Sequence, residues 1–472
     1  MGDGADATVS ESIMVGLRVR PMVANERGQS ECLRIQKDGA ILLLPVANGQ
    51  KTMSFAVDAP MESGDEHSEH YATQGKVYAL FGERMVDHAF GGYNSALFAY
   101  GQTGTGKTTT IIGETEVPSE RGILLRVVEE IFQRADTICK GGGEVVCQMQ
   151  MLEVYNEQVR DLLAPYDKMK EGAAKKVRPE VRVHPKCGVY VKDAIDAKVD
   201  SFSDATTLIE YGNTMKSMSA TAMNAQSSRA HTIVRVHIES KAGTGGTCKL
   251  SDVYVVDLAG RENERTTYAH GERLIELSYI NRSLMFLALC IKDLSGAGNV
   301  KPPNNTSMAK FRNSKLTLLL SSALSGNSRT AMIGTASPAA EHYDETLSTL
   351  KFAMSVKNIK LQATARRSVN KDELVSSLRE EVKRLQELIS SLRTSSPAGE
   401  RKEVQSRLEA AEALVMRHSM SPEDINKASE ASKRQREQFL HTYASTRPAS
   451  PYLANMSDDP HLVGRLMFHI TL

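Results

Sequence analysis

The stretch AYGQTGTGKTTTIIG, residues 99–113, contains the pattern G-x-x-x-x-G-K-T between Gly101 and Thr108. An apolar run that suits a buried strand precedes the pattern, and the stretch after it can open a helix. In this setting the loop can fold so that several backbone N–H groups point inward and hold phosphate groups. The pattern therefore predicts a nucleoside triphosphate site, although it leaves the base undecided.

Each residue type in the loop has an expected task. Gly104 and Gly106 allow a tight backbone turn, Lys107 would reach the outer phosphates, and Thr108 would bind Mg²⁺ through its hydroxyl. A glycine-rich turn that matches the pattern by chance is the alternative. The predicted nucleotide-binding residues of the loop are Gly101, Gln102, Thr103, Gly104, Thr105, Gly106, Lys107, Thr108 and Thr109.

The composition limits the class of protein. A chain of 472 residues that is 41% hydrophobic can bury a large core and have material left over. The net charge of +1 creates no global field that would select a nucleic acid. The six cysteines form no C-x-x-C pair, which favours free thiols in a reducing compartment, the cytoplasm. The N-terminus lacks an apolar core and no apolar run reaches membrane-spanning length, so we predict neither secretion nor a membrane span.

The composition and the secondary-structure pattern of the chain change after about Leu361. From Ile13 to that point short strand-like runs alternate with helical patterns, which predicts an α/β domain with helices on both faces of a sheet. Beyond it glycine and strand-like runs give way to Glu, Lys, Arg, Ser and Leu. The predicted organisation is a flexible N-terminus (1–12), the nucleotide-binding domain (13–361), a linker with a short coiled coil (362–395) and a helical, partly disordered tail (396–472).

A second phosphate-sensing candidate is the D-x-x-G stretch from Asp257 to Gly260, which ends an apolar strand. The aspartate can hold Mg²⁺ through water, and the glycine N–H can bond a γ-phosphate and release it after hydrolysis. An ordinary exit from strand to turn is the alternative.

A third candidate is NAQSSRAH, residues 224–231. Ser227 and Ser228 could contact Mg²⁺ or the γ-phosphate, and Arg229 could pair with Glu262 across the nucleotide. The alternative is a polar turn before the strand HTIVRVHI.

The sequences AYGQTGTGKT, NAQSSRAH and VDLAGRE, in this order, resemble the nucleotide site of the kinesin motor domain, and the resemblance covers about residues 12–361. It implies the P-loop NTPase-type kinesin fold, an α/β domain with a mostly β central sheet between two layers of helices. It also implies a microtubule-dependent motor ATPase that uses ATP and Mg²⁺. Because the motor precedes its neck, plus-end-directed movement is expected.

The resemblance also assigns site residues. In the family the R-x-R-P segment borders the adenine, so Arg18, Arg20 and Pro21 would contact the base. The implied catalytic residues are Ser227, Ser228, Arg229, Gly260 and Glu262. The implied Mg²⁺ ligands are Thr108, Ser228 and, through water, Asp257.

Two residues depart from the family pattern. Ala230 stands where a serine is common, and Arg261 replaces a small serine. Neither removes an expected Mg²⁺ ligand, so hydrolysis should survive at an altered rate. The alternative function is a non-motile microtubule tether or regulator with slowed ATP turnover.

Residues 301–340 carry five basic residues and no acidic one. The resemblance implies that this stretch faces the acidic surface of tubulin beside a helix predicted near Glu272 to Leu294. The expected microtubule contacts are Lys310, Arg312 and Lys315, and the expected location is on cytoplasmic microtubules. A solvated basic rim without a partner is the alternative.

The stretch DELVSSLREEVKRLQELISSLR places leucines on the a and d positions of about three heptads, with Glu381 interrupting. Residues 371–392 could therefore form a weak homodimer, and a single amphipathic helix folded back on the domain is the alternative. Together with SPYLANMSDDPHLVGRLMFHI, this stretch resembles the kinesin-3 subfamily, in which the second stretch leads into a forkhead-associated domain. The chain is expected to end where that domain begins. The leucines are Leu374, Leu378, Leu385, Leu388 and Leu392.

Overall fold

The computed structural model of the chain describes two compact units, Met1–Ser421 and Pro422–Leu472. The described residues are 9–165, 179–184, 188–222, 229–243, 247–260, 272–295, 308–325, 327–367, 371–392, 404–405, 407–409, 411–412, 414–415, 422–446, 452–454 and 467–469. None of the helices among them combines the length and the hydropathy that a membrane crossing requires.

The strands are β1 Val9–Ser12, β2 Met14–Val19, β3 Leu33–Ile35, β4 Ile41–Leu43, β5 Met53–Phe55, β6 Ala59–Glu62, β7 Asn94–Gly101, β8 Glu144–Tyr155, β9 Gln158–Asp161, β10 Glu180–His184, β11 Gly188–Lys192, β12 Ala197–Val199, β13 His231–Lys241, β14 Cys248–Asp257, β15 Ser328–Ala336, β16 Lys360–Ala363, β17 Arg366–Arg367, β18 Tyr452–Ala454 and β19 Met467–His469. The helices are α1 Gln74–Phe90, α2 Lys107–Ile111, α3 Ile123–Lys140, α4 Phe202–Ala222, α5 Glu272–Leu294, α6 Met308–Phe311, α7 Lys315–Leu319, α8 Ser321–Ser325, α9 Tyr343–Lys357, α10 Lys371–Leu392 and α11 Pro422–Thr446.

The central sheet of the first unit has the order β12-β8-β13-β14-β7-β15-β2-β6, with β17 and β9 paired beside this path. The neighbours from β14 to β6 run parallel, whereas the neighbours from β12 to β14 run antiparallel. β7 is buried at every position, as expected of a central parallel strand covered on both faces. The predicted α/β class with a central sheet flanked by helices is confirmed, and the structure shows that this sheet is mixed.

The helices cover the sheet in two groups. α1 packs against α3, β7 and β14, and α3 also contacts α2, α4 and β8. α9 packs against β15, β2 and α5, and α5 contacts α7. The stacked rings of Tyr100 on β7 and Phe352 on α9, 3.9 Å apart, lie in the core between α9 and the sheet.

The two ends of the predicted domain are joined. β1 pairs antiparallel with β16, in register from Val9 beside Ala363 to Ser12 beside Lys360. The Asn327 side chain then binds both backbone groups of Thr364, and Arg366 and Arg367 pair with the start of β14. Residues 9–12, which the sequence assigned to a flexible N-terminus, thus form a strand that holds the linker along the domain.

α10 contacts its own chain. Leu378 and Leu385 are buried, and Leu385 packs with Leu408 and Ala411. Glu381 lies 3.5 Å from His184 on β10. This arrangement matches the folded-back amphipathic helix, and the coiled coil through residues 371–392 stays a prediction. Leu388 is exposed, and the side chains of Leu374 and Leu392 lie outside the described part of the chain.

Candidate nucleotide-binding site

The predicted phosphate-binding segments meet at one edge of the sheet. Because β7, β14, β15 and β2 are parallel neighbours, their carboxyl ends lie side by side, where α/β sheets bind ligands. Asp257 pairs with Ala99, and Thr335 pairs with Gly101. A cleft of about 390 Å³ opens there, within the size range of small-molecule sites. It is lined by Arg18, Arg20, Pro21, Ser63, Thr103, Gly104, Thr105, Gly106, Lys107, Thr108, Thr109, Thr110, Ala230, Asp257 and Leu258.

The three glycines of the loop have different structural roles. Gly104 and Gly106 have φ angles of +80° and +97°, in the left-handed region that favours glycine. Gly101 does not line the cleft. A Cβ at Gly101 would lie 2.3 Å from the Thr335 carbonyl oxygen, so this glycine allows β7 and β15 to approach each other. Two of the three glycines therefore shape the loop, and the third packs the sheet beneath it.

Lys107 lies over the loop that it follows. Its Nζ donates to the carbonyl oxygens of Gly101, at 3.1 Å, and Gln102, at 2.7 Å. The side chain is buried and lines the cleft. This position places a positive charge where the sequence predicts the outer phosphates.

Thr108 and Asp257, two predicted Mg²⁺ ligands, are in contact. The Thr108 hydroxyl donates to Asp257 Oδ2 at 2.7 Å. Asp257 Oδ1 is buried and accepts no hydrogen bond from the described residues. A hydroxyl and a carboxylate are the oxygen ligands that Mg²⁺ prefers, and a buried carboxylate oxygen without a donor is suited to a cation. These two residues therefore fit the predicted ion.

Gly260 brings the D-x-x-G turn against the phosphate loop. A Cβ on Gly260 would lie 2.0 Å from Thr103 Oγ1 and 2.8 Å from the Thr103 backbone nitrogen. Only a residue without a side chain can approach the loop this closely. The structure thus joins two motifs that are separated by more than 150 residues in the sequence.

The segment 224–231 is described only from Arg229 onward. Arg229 is buried, and Ala230 lines the cleft. Ser227, Ser228, Arg261 and Glu262 lie outside the described residues. The pair between Arg229 and Glu262, and the Ser228 ligand, therefore stay predictions.

The R-x-R-P residues line the cleft, but both arginines also bind protein groups. Arg18 donates to Ser63, Gln74 and Thr110 at 2.9 to 3.0 Å, and burial lowers its pKa. Arg20 Nε donates to the Gly104 carbonyl oxygen at 2.9 Å. Arg18 thus braces the cleft wall, and Arg20 reaches the phosphate loop. Their contacts with a base, like that of Pro21, stay predictions.

His231 is a linking residue that the sequence analysis did not single out. Its Nδ1 accepts from the Ala259 N–H at 2.9 Å, and its Nε2 lies 2.8 Å from the Ser283 hydroxyl on α5. Burial, and then the charges of Lys216 and Lys107, lower its pKa to about 3. The imidazole is therefore neutral, and it ties the D-x-x-G turn to α5. Its place directly after the SSRA stretch was the only signal in the sequence.

The predicted microtubule contacts differ in their surroundings. Arg312, directly after α6, and Lys315, the first residue of α7, are exposed. Lys310 is also exposed but forms an ion pair with Asp293 at 2.6 Å. Sequence reasoning missed two exposed apolar residues four positions apart on α5, Met285 and Leu289, which are 50% and 48% exposed. Residues with this spacing share one helix face.

Comparisons with known proteins show the family of this chain. A family model described as the kinesin motor domain matches residues 18–359. The mouse kinesin-like protein KIF13A is 34% identical over 479 residues, covering 97% of this chain and 26% of that protein. Human KIF1B is 37% identical over 389 residues, covering 80% of this chain and 21% of that protein. Both belong to the kinesin-3 subfamily, and this chain spans about a quarter of their length.

Solved structures give the same result. The KIF14 motor, as a dimer with AMP-PNP in complex with a microtubule, has a TM-score of 0.68 and 34% identity, covering 77% of this chain and 98% of that one. A fast kinesin has a TM-score of 0.66 and 31% identity, covering 76% of this chain and 95% of that one. The chain belongs to the kinesin family, and residues 18–359 correspond to its motor domain.

Proposed function

We propose that this chain is a microtubule-dependent motor ATPase that acts on cytoplasmic microtubules and moves toward their plus ends. The observation that carries the proposal is the meeting of two motifs at the cleft. Thr108 bonds to Asp257, and Gly260 packs against Thr103 of the phosphate loop. A loop and a turn in such contact can respond together to a γ-phosphate.

The described residues have separable roles in this proposal. Lys107 would neutralise the outer phosphates, Thr108 and Asp257 would hold Mg²⁺, and the Gly260 N–H would bond the γ-phosphate. When bound, Mg²⁺ would offset charge on the phosphates. Ser228, Arg229 and Glu262 would complete the site, as the family resemblance implies.

Coupling of the nucleotide cleft to microtubule binding requires a chain of contacts that leads away from the cleft. His231 supports one, because a single neutral ring bonds both the Ala259 N–H and Ser283 on α5. Movement of the D-x-x-G turn would therefore shift α5. The linker strand β16, paired with β1, would be the element that responds.

The exposed basic and apolar side chains on and beside α5, α6 and α7 favour tubulin as the partner. The solved structure of KIF14 is a complex with a microtubule. Exposed ion pairs contribute only about 0.2 to 1 kcal/mol each, so Arg312 and Lys315 alone would give weak binding. Met285 and Leu289 on α5 could add apolar contact. Lys310 would contribute less, because Asp293 already pairs with it.

A non-motile microtubule tether or regulator is the second candidate function. Ala230 forms part of the cleft wall and brings no hydroxyl to it. If that missing group slows turnover, the protein would hold a microtubule without stepping.

A binding experiment separates these functions. For a motor, we expect microtubule affinity to differ between AMP-PNP and ADP by the 1 to 3 kcal/mol, about 5- to 150-fold, typical of coupled sites. Microtubules should also stimulate the ATPase, and filaments should glide over surface-attached protein with their minus ends leading. Equal affinity in both nucleotide states with immobile filaments would instead support the tether.

The double variant Arg312→Glu and Lys315→Glu tests the microtubule-binding face. We expect weaker microtubule binding in both nucleotide states and an unchanged basal ATPase, because neither residue lines the cleft. The double variant Lys51→Glu and Lys140→Glu, at two exposed positions that do not line the cleft, is the matched charge reversal and should change little. Equal loss in both variants would mean that the effect is not local to this face.

The contacts of α10 predict the oligomeric state. Because Leu378 and Leu385 are already buried within the chain, we expect a monomer at low micromolar concentration by sedimentation velocity. Leu388→Asp places a charge at an exposed d position, and it should leave the sedimentation coefficient unchanged. A dimer at nanomolar concentration that this variant dissociates would establish the coiled coil.

A further inference from the structure

A ring of side chains, of which Arg20 lines the cleft and Glu26 and His342 do not, braces the phosphate loop. At its centre is the carboxylate of Glu26, whose side chain is 1% exposed. Arg20 donates to both of its oxygens, at 2.6 and 2.5 Å, and donates its Nε to the Gly104 carbonyl oxygen at 2.9 Å. His342 Nε2 lies 3.1 Å from Glu26 Oε1, and His342 Nδ1 lies 3.1 Å from Gln102 Nε2. One buried carboxylate is thus connected to two residues of the loop.

Only one form of His342 satisfies both of its contacts. The Gln102 amide nitrogen is a donor, so Nδ1 must accept, and the ring proton must then lie on Nε2 and be donated to Glu26. Glu26 is the matching acceptor. The hydrogen bond from Arg20 holds the pKa of Glu26 at about 2, in spite of burial. The contacts therefore fit an imidazole that accepts from an amide through Nδ1 and donates to a carboxylate through Nε2.

The loop needs support of this kind. Gly104 and Gly106 have positive φ angles, and a Cβ built on either would contact nothing within 4 Å. The loop therefore has few packing contacts of its own at these positions. Glu26 and His342 do not line the cleft, so any effect on a nucleotide must act through Arg20 and Gln102.

We propose that His342 and Glu26 are positioning residues for the nucleotide, which hold Gln102 and Arg20 so that the phosphate loop keeps its binding shape. This proposal rests on the proposed binding of MgATP in the cleft. A metal site is a weaker explanation of the cluster. Glu26, Glu341 and His342 do place ligand atoms within 4.8 Å of one another, but a metal would have to displace Arg20 from Glu26.

The first test is steady-state kinetics of the whole chain with the variant His342→Ala. The His342 side chain is 25% exposed, so its removal leaves no large cavity. Loss of one hydrogen bond to the loop should raise KM for MgATP about fivefold, which corresponds to about 1 kcal/mol. The kcat should stay near the wild-type value, because the contacts of His342 and Glu26 with the loop stabilise bound substrate and transition state equally.

Two variants accompany it. His342→Asn keeps an acceptor near the Nδ1 position and should restore KM most of the way to the wild-type value. Glu341→Ala is the matched control, because this carboxylate lies 3.3 Å from His342 Nε2 but is 44% exposed and makes no described contact with the loop. It should leave KM unchanged.

The second test does not need nucleotide. Backbone amides of residues 101–106 should exchange hydrogen faster in His342→Ala than in the wild-type chain, and Glu341→Ala should match the wild type. Unchanged exchange, or a wild-type KM in His342→Ala, would overturn the positioning role. If the wild-type chain fails to bind an ATP analogue, the proposed function is wrong, and the exchange rates still decide whether the ring holds the loop.

Discussion

Replacing Lys107 with alanine should weaken MgATP binding by at least about 100-fold. The ammonium is buried in the cleft at the loop, and hydrogen bonds to charged groups contribute about 1.5 to 3 kcal/mol each. Loss of two such bonds to the phosphates would exceed the ~2.7 kcal/mol that corresponds to this factor. Titration of a fluorescent ATP analogue in the presence of Mg²⁺ measures the effect directly.

The control for this variant is Lys51→Ala. Lys51 is exposed in the loop before β5 and does not line the cleft, so its loss should leave nucleotide affinity unchanged. Circular dichroism of both variants would show whether the fold is retained. Undiminished binding in a folded Lys107→Ala protein would exclude this loop as the triphosphate site.

Gly260→Ala should reduce kcat by about 10² to 10³, the range seen when one preorganised donor to a transition state is removed. The added Cβ would lie 2.0 Å from Thr103 Oγ1 and 2.8 Å from both the nitrogen and Cα of Thr103. The D-x-x-G turn would therefore have to move away from the loop, and its N–H would no longer reach the γ-phosphate. Nucleotide affinity should change much less than kcat, because Lys107 and Thr108 are untouched.

Two further variants sharpen this test. Gly75→Ala is the matched control, because its Cβ would meet only Thr73 Oγ1, at 3.8 Å. Adding Thr103→Ala to Gly260→Ala removes the hydroxyl but leaves the close backbone atoms, so it should restore little activity. A kcat within a few fold of the wild-type value in Gly260→Ala would show that the turn does not have to close on the loop.

The residues whose roles depend on local backbone chemistry were predictable. Gly104 and Gly106 do adopt the left-handed conformations that a phosphate loop requires, and Asp257 does end a buried strand. The apolar run before the loop predicted that β7 is a buried strand, but only the structure shows that it has parallel neighbours and so at which edge of the sheet these segments meet. Residues 223–228 and 261–271 lie outside the described chain, so the second half of the predicted site is still a prediction.

The sequence by itself determined the glycine-rich loop between β7 and α2, the α/β class and the family, because each depends on short motifs whose spacing has a direct physical meaning. Only the tertiary structure decided which distant residues support them. Glu26 and His342 are 316 residues apart, His231 and Ser283 are 52 residues apart, and Val9 pairs with Ala363. No local pattern marks such partners, because a buried carboxylate or imidazole gains its role only when folding removes water and supplies its hydrogen bonds. The same reason explains α10. Its leucines could face a second chain or their own, and the burial of Leu385 within this chain depends on Leu408 and Ala411, which lie beyond the end of the helix.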